Sequence, residues 1–494
     1  MTPFELKQQL SQQYKILEFV DLAEISKLPS IGFKVFHDQY KETFESNERI
    51  VFYTNYHVGK KTLEYLQYAA DVFNVARCFI LVCSPTHIEN DKDYDIEFLT
   101  TSVESEPFND DTMISTKTLC SLPFFNLEYM NDGQVKVCCF IKDSLKSSID
   151  GPSSRELFNS DKIKKLRQRL LNGERPSECT LCWETEDKNI ESLRQWRNKS
   201  HAVEFLTDYI DNPNIKSISM RTSTICNFKC RICNYSNSSL WAEETLSHEQ
   251  NPDTRQQIMQ TVKNSKWFDQ DLTMSEEIFD LCKDLNFIDI YGGEPLLIKQ
   301  FKRIVEKSIA VGSANQQRLH FNTNCSIFPN ELVPLMSQFK EVAISLSVDN
   351  IGARFELERG GVWAEIEQNI DKFLSLDPKI FKVSGLVTVS NLNLLYLDEL
   401  LAWAKSKNLP LTFNILHWPT HLKYNRVTEA VRTLAIQKYS KHSNDTLRSI
   451  ADDLESTQPV DVTEWLTKMR RLDEKRNQNI TLSHPELAKG MGLV

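Results

Sequence analysis

Between residues 213 and 418 the chain alternates strand-like and helix-like segments, and no other feature restricts its fold so much. Strand-like runs fall at Ser217–Thr222, Phe287–Tyr291, Arg318–Asn322, Glu341–Val348, Val383–Val389 and Leu411–Leu416. Stretches with helical character lie between them, among them Ser275–Asp284, Phe301–Ala310 and Ala364–Leu374. Strands separated by helices pair in parallel through right-handed crossovers. About six such units predict an α/β fold with a partial, TIM-like (β/α)6 barrel over residues 206–420, not a full eightfold one. In such barrels the functional groups gather at the C-terminal ends of the strands.

Cysteine placement gives the chemistry. Seven of the twelve cysteines fall in three motif pieces between residues 120 and 233. No stretch approaches 18 apolar residues, and Met1–Gln13 has no apolar signal region. A cytoplasmic, non-membrane protein is expected, in which thiols stay reduced and cysteines are better read as metal ligands than as disulfides. The net charge of −10, without a clustered basic run, disfavours nucleic acid as a partner.

The run Cys226-Asn-Phe-Lys-Cys230-Arg-Ile-Cys233 directly follows the first barrel strand, with the spacing C-x3-C-x2-C. Three thiolates on one tight loop hold three irons of a cubane [4Fe–4S] cluster and leave the fourth open. Structural zinc wants four ligands, so zinc here would need a distant Cys or His as well. The second strand leads into Gly292-Gly293-Glu294-Pro295, where glycines let backbone approach a ligand closely. The third ends at Asn324, the fourth at Ser347 and Asp349, and Thr388 lies on the fifth. Strand-end capping is the plain alternative for these polar residues. His417 and His421 flank Pro419, which argues against a helical metal pair, and an ordinary loop is the simpler reading.

The three cysteines and the glycine–glutamate turn together resemble the radical S-adenosylmethionine superfamily. The resemblance implies that Cys226, Cys230 and Cys233 hold a [4Fe–4S] cluster whose open iron binds S-adenosylmethionine. It implies that Gly292, Gly293, Glu294 and Pro295 bind the methionine amino group, with Asn324, Ser347, Asp349 and Thr388 as further cosubstrate contacts. The family usually has an aromatic residue where Ile232 stands, a minor departure. The implied reaction is reductive cleavage of the cosubstrate to a 5′-deoxyadenosyl radical that abstracts hydrogen from a substrate. A low-potential electron donor such as flavodoxin or ferredoxin is implied as well.

Ahead of the barrel, Cys120, Gly133, Cys138, Cys179 and Cys182 form the pattern C-x12-G-x4-C…C-x2-C. Four thiolates close a [4Fe–4S] cluster completely. The pattern resembles the twitch module, a smaller relative of the SPASM auxiliary-cluster domain, and assigns it to residues 113–205. Structural zinc is the rival occupant, and Cys139 could replace Cys138, although spacing favours Cys138. The resemblance leaves two regions unexplained. Residues 1–112 read as a small α/β domain, with β-rich Arg49–His57, helical Lys60–Val75 and the apolar run Ala76–Cys83, in which Cys78 and Cys83 read as buried thiols. Glu104–Thr116 reads as a linker, and 421–494 as a charged helical tail. The sequence offers no clear catalytic acid or base beyond the cluster. The substrate stays open between a peptide or protein and a carbohydrate-type small molecule. A metal-stabilised binding protein without radical chemistry is the non-enzymatic alternative.

Overall fold

Period-two burial explains the central sheet. Its strands carry fully buried apolar residues at alternate positions: Ile218 and Met220, Ile288 and Ile290, Leu319 and Phe321, Ile344 and Leu346. This face packs on helices. Phe321 meets Phe301 of the helix Lys299–Ala310 edge-to-face at 5.0 Å, beside buried Ile304 and Val305. Each such side chain contributes roughly 1.5–3 kcal/mol, so the helix-facing side holds the layers together. The positions between them are polar, which sets up the site described below.

The computed structural model describes residues 18–21, 49–54, 77–82, 96–100, 118–142, 152–187, 191–200, 213–270 and 272–494. Two compact units divide at residue 112. The first, Met1–Thr112, contains a parallel sheet of β1 (Glu18–Asp21), β2 (Arg49–Thr54), β3 (Arg77–Val82) and β4 (Ile96–Thr100), in that order. The expected strand runs around residues 49 and 77 are present. The expected helix Lys60–Val75, Cys83 and the linker Glu104–Thr116 lie outside the described residues.

The second unit, Met113–Val494, is built on an eight-stranded sheet. Its strands are β5 (Asn126–Tyr129), β6 (Val135–Lys136), β7 (Ser217–Arg221), β8 (Phe287–Tyr291), β9 (Arg318–Thr323), β10 (Glu341–Ser347), β11 (Phe381–Val389) and β12 (Leu411–Ile415). The order is β12-β11-β10-β9-β8-β7-β5-β6, parallel throughout except for the β5–β6 hairpin. All six strands expected between 213 and 418 are present, β7 to β12. The sheet has two strands more than expected, because the cysteine-bearing segment donates β5 as a parallel neighbour of β7. Sequence patterning missed this because β5 is only four residues long, too short for the alternation of Asn126 and Glu128 with Leu127 and Tyr129 to stand out. Phe140, just past the edge strand β6, meets His417, just past the opposite edge strand β12, at 5.8 Å. The sheet therefore curls until its two edges approach each other.

The C-terminal helices pack onto this unit. Trp465 and Met469 of the helix Thr463–Arg476 are buried, and that helix ends at Asn477 in the left-handed conformation. His484 shares a 2.8 Å contact with Glu358, both fully buried. Among the described residues, no helix is long and apolar enough to cross a membrane.

Candidate metal centre and its surroundings

The loop after β7 is held at its backbone from several sides. Glu294 N donates to Ile225 O at 2.7 Å, Trp241 Nε1 to Cys230 O at 2.7 Å, and Ser238 Oγ to Phe228 O at 2.6 Å. Arg231 N donates to Glu358 O at 2.6 Å, and Arg231 Nε to Leu357 O at 3.2 Å. Arg231 is itself buried and pairs with Asp473, while its Nη2 also donates to Gln478 at 2.9 Å. Arg476 donates to Lys229 O at 2.9 Å and pairs with Glu244 at 2.8 Å. The tail thus clamps the loop that carries Cys226, Cys230 and Cys233.

The glycine–glutamate turn lies directly against this loop. Gly293 has φ +56°, and a Cβ there would stand 2.3 Å from Ile225 O. Only glycine fits so close an approach. Gly292 also has positive φ, with Arg221 side-chain atoms 3.2 Å from a Cβ. Glu294 is fully buried, and its carboxylate accepts from Asn324 N at 2.7 Å, Thr323 Oγ1 at 3.0 Å and Leu296 N at 3.2 Å. It works as a strut between the turn and the end of β9. Burial, only partly offset by these bonds, raises its carboxyl to about 7. Pro295 is buried and opens a short 3-10 turn. Asn324 donates to Asn227 at 2.9 Å and lies 3.9 Å from Cys226 Sγ. Asp349 is buried at the end of β10, taking Thr388 N at 2.7 Å and Arg359 Nη1 at 2.5 Å. Ser347 is half-buried one turn of strand before it.

Charge defines the three-cysteine loop further. Burial raises the thiols of Cys226 to about 11 and Cys233 to about 12, and Cys230 is raised as well. Cys230 repels both of the others, so the three are electrostatic neighbours. Arg359 opposes the rise in all three. Sequence reasoning missed Arg359. The only signal was a basic residue directly before Gly360-Gly361, after the fourth strand.

The four-cysteine segment is built locally. Arg194 Nη1 and Asn198 Nδ2 both donate to Leu119 O, at 2.6 and 2.8 Å, and Lys142 N donates to Glu178 O at 3.1 Å. The first two fix the stretch bearing Cys120 to the helix Leu193–Ser200, whose Arg194 also pairs with Glu186 on the helix bearing Cys182, and the third joins the stretches of Cys138 and Cys179. Burial raises all four thiols, Cys179 to about 12, and mutual repulsion adds to it: Cys179 and Cys182 act on Cys120, and Cys120 and Cys179 act on Cys138. Cys139 differs. After burial, its thiol feels Glu128, Arg221, Arg197 and Asp289, the groups of the concave sheet face.

Both sets fit a cationic group by donor chemistry. Their thiols stay protonated at neutral pH when bare, and a bound cation is what turns them into thiolates. Among the described residues, no three His, Cys, Asp or Glu side chains converge as ligands of a single metal ion. A cubane differs in spreading its thiolates over separate irons.

The concave face carries a polar row that sequence reading did not assemble. Glu128, Ser219, Asp289 and His320 stand side by side on β5, β7, β8 and β9. Asp289 and His320 Nδ1 are 2.7 Å apart, His320 Nε2 and Ser345 Oγ 2.8 Å, and Arg197 Nη2 donates to Asp289 at 2.9 Å. Burial pushes Asp289 up, but His320 and Arg197 outweigh it and hold the carboxyl at about 2. Glu128 Oε1, Tyr291 OH and Asn322 Oδ1 are buried without a hydrogen-bond partner. Burial raises Glu128 to about 7. A full barrel fills its interior with branched apolar side chains; this one presents polar groups with spare hydrogen-bonding capacity.

No protein-family model matches the chain, and no curated protein matches it. The solved structures it is similar to include proteins that bind S-adenosylmethionine. One is native anSMEcpe with bound AdoMet, at 15% identity over 45% of this chain and 58% of that one, TM-score 0.29. Another is native anSMEcpe with bound AdoMet and Kp18Cys peptide, at 15% over 47% and 61%, TM-score 0.30. A third is Streptococcus suis SuiB bound to S-adenosylmethionine, at 11% over 57% and 63%, TM-score 0.28. The chain spans less than two thirds of the length of each of these. Similarity at these values assigns no activity; the chemistry of the site has to carry that.

Proposed function

We propose that the protein is a radical S-adenosylmethionine enzyme with its reactive site at Cys226, Cys230 and Cys233. One observation carries the reading: the three-cysteine loop and the turn Gly292–Pro295 are locked together through Glu294 N and Ile225 O at the C-terminal ends of adjacent strands. Three thiolates would hold a [4Fe–4S] cluster with one iron open. With S-adenosylmethionine bound, that group supplies reductive cleavage to methionine and a 5′-deoxyadenosyl radical, which removes hydrogen from a substrate.

The chain's own residues do the positioning. The Gly292-Gly293 turn would offer its backbone to the cosubstrate's methionine end, and Glu294 keeps the turn rigid. Asp349, fixed by Thr388 N, and the side chains of Asn324, Ser347 and Thr388 line the same strand ends. In residues 113–205 a twitch-like module would hold a second, closed [4Fe–4S] cluster through Cys120, Cys138, Cys179 and Cys182; zinc is its rival. Cys138 is favoured over Cys139 by spacing; besides Cys139 and Glu128, Cys120 and Cys179 act on its thiol. The partial barrel over 206–420 would place the substrate against the concave polar row. That row favours a substrate that hydrogen-bonds, whether a peptide side chain or a hydroxylated small molecule. A cytoplasmic setting and a low-potential flavodoxin or ferredoxin donor complete the proposal.

The test is anaerobic reconstitution with iron and sulfide counts, and EPR with and without S-adenosylmethionine. About eight irons in the wild type and about four after Cys226/Cys230/Cys233→Ala support two cubanes. A cosubstrate-dependent EPR change, lost in that variant, ties it to the three-cysteine loop. About four irons with one zinc keeps the radical reading and makes the first set structural. Zinc without iron overturns the enzyme reading and leaves a metal-stabilised binding protein.

A further inference from the structure

Arg359 stands where a crossover helix ends on the cysteine loop. The two residues before it, Leu357 and Glu358, accept hydrogen bonds from Arg231 of the loop, and two residues after it Gly361 packs on Phe228, where a Cβ would lie 2.7 Å from the ring. Its side chain is 10% exposed and lies against that of Asp349, which is 2% exposed. Nη1 donates to Asp349 at 2.5 Å, and Nε is buried without a partner. A guanidinium keeps its proton in proteins, and the Asp349 carboxylate beside it favours the charged form, so Arg359 is a fixed cation.

Asp349 does not account for it fully. A structural ion pair buried this deeply satisfies its donors, because an unpaired buried donor is costly. Arg359 leaves one donor free in the field shared by Cys226, Cys230 and Cys233. A cation fixed at that place stabilises added negative charge on whatever the three thiolates hold. Net charge around an iron–sulfur cluster is one of the quantities that set its reduction potential.

We propose that Arg359 is the counter-charge of the three-cysteine site, a positioning residue that raises the reduction potential of the cluster held there, with Asp349 opposing it. The proposal rests on the iron–sulfur reading of that loop. Each reductive turnover adds an electron to the cluster, and a cation in low dielectric lowers the cost of that electron. Asp349 limits the gain, so the pair acts as a setting between two extremes.

The test is an EPR-monitored redox titration of the anaerobically reconstituted full chain without S-adenosylmethionine. The signal is assigned to the three-cysteine loop by its loss in Cys226/Cys230/Cys233→Ala. Arg359→Gln is expected to move the midpoint to more negative potential, Arg359→Lys to return it toward the wild type, and Asp349→Asn to move it the other way. Lysine rescue and the opposite sign at Asp349 are results a purely structural role would not give. If Arg359→Gln cannot hold iron, the Arg359→Lys and Asp349→Asn pair decides by the sign of the second. Normal iron content with an unchanged midpoint in Arg359→Gln, or a negative shift in Asp349→Asn, overturns the proposal while leaving the iron–sulfur reading intact. A wild type with no iron at the loop overturns both.

Discussion

The two cysteine sets are supported in opposite ways. The four-cysteine set is braced from within its own segment: all three nitrogens of Arg194 donate, two to Glu186 and one to Leu119 O. The three-cysteine loop is short, yet residues up to 247 positions away hold it, among them Arg476 and Gln478. Its nearby cation, Arg359, keeps a donor unused, whereas Arg194 keeps none at any nitrogen. The contrast has a physical reason. Four ligands around one group brace each other, while three ligands with an open position need external backbone bonds to stay in place. A site meant to admit a ligand also has to retain uncommitted polar groups.

The largest expected effect separates the two sets outright. Cys226/Cys230/Cys233→Ala should abolish reductive cleavage of S-adenosylmethionine, measured as 5′-deoxyadenosine with dithionite as donor. Alanine at Cys120, Cys138, Cys179 and Cys182 should leave that cleavage in place while lowering the iron count; loss in both variants would break the contrast. Next comes the clamp. Arg476→Ala removes one of the two cations paired with Glu244, Lys229 being the other, together with the bond to Lys229 O, and should cost about 3–4 kcal/mol in urea unfolding, with iron lost from the three-cysteine loop before the other set. An even loss would show that the tail supports the whole unit. A paired glycine comparison is smaller. Gly293→Ala forces a Cβ to 2.3 Å from Ile225 O at φ +56° and should cost about 3 kcal/mol. Gly133→Ala, 3.2 Å from Trp267 at φ +81°, should cost about 1–2 kcal/mol. Equal losses in stability would mean that the turn near the open site is no tighter than the one near the closed set.

Comparable in size to the Gly133 change is an effect in the polar row on the concave face. The folded-state pKa of Asp289 is lowered from 3.8 to about 2, so its charge contributes stability that is present above about pH 4 and lost as pH falls toward 2. Asp289→Asn should lower stability by about 2 kcal/mol at pH 7, with the deficit shrinking between pH 4 and pH 2. Unfolding curves at pH 7 and pH 3 check this, and a deficit that does not change with pH would mean the bond geometry, not the charge, is what Asp289 contributes.

How much could be read from the sequence varied by element. The strands β7 to β12 were legible because each shows alternation or a bounded apolar run, and the glycines at 292 and 293 because a close backbone approach leaves few other residues possible. The helix expected at Ser275–Asp284 runs instead over Leu272–Leu281, since the apolar pattern fixes a helix's face better than its ends. Strand β5 was not legible, because four residues are too few for a period-two pattern to stand out. Arg359, the Asp289–His320–Ser345 chain and the Arg476–Glu244 clamp were not legible either. Their partners are 10 to 232 residues apart, and no local periodicity records such distances.

The sequence by itself determined the strand–helix alternation, the grouping of seven cysteines into two sets, and the turn that only glycine can make. These depend on short-range rules: side-chain period, ligand spacing on one loop, and φ sign. Only the tertiary structure decided which charges face each thiol, that the cysteine-bearing segment extends the sheet, and that the C-terminal tail holds the three-cysteine loop. Electrostatic and hydrogen-bonding partners are selected by distance in space, and distant segments acquire that proximity only when the sheet curls and the tail packs against it.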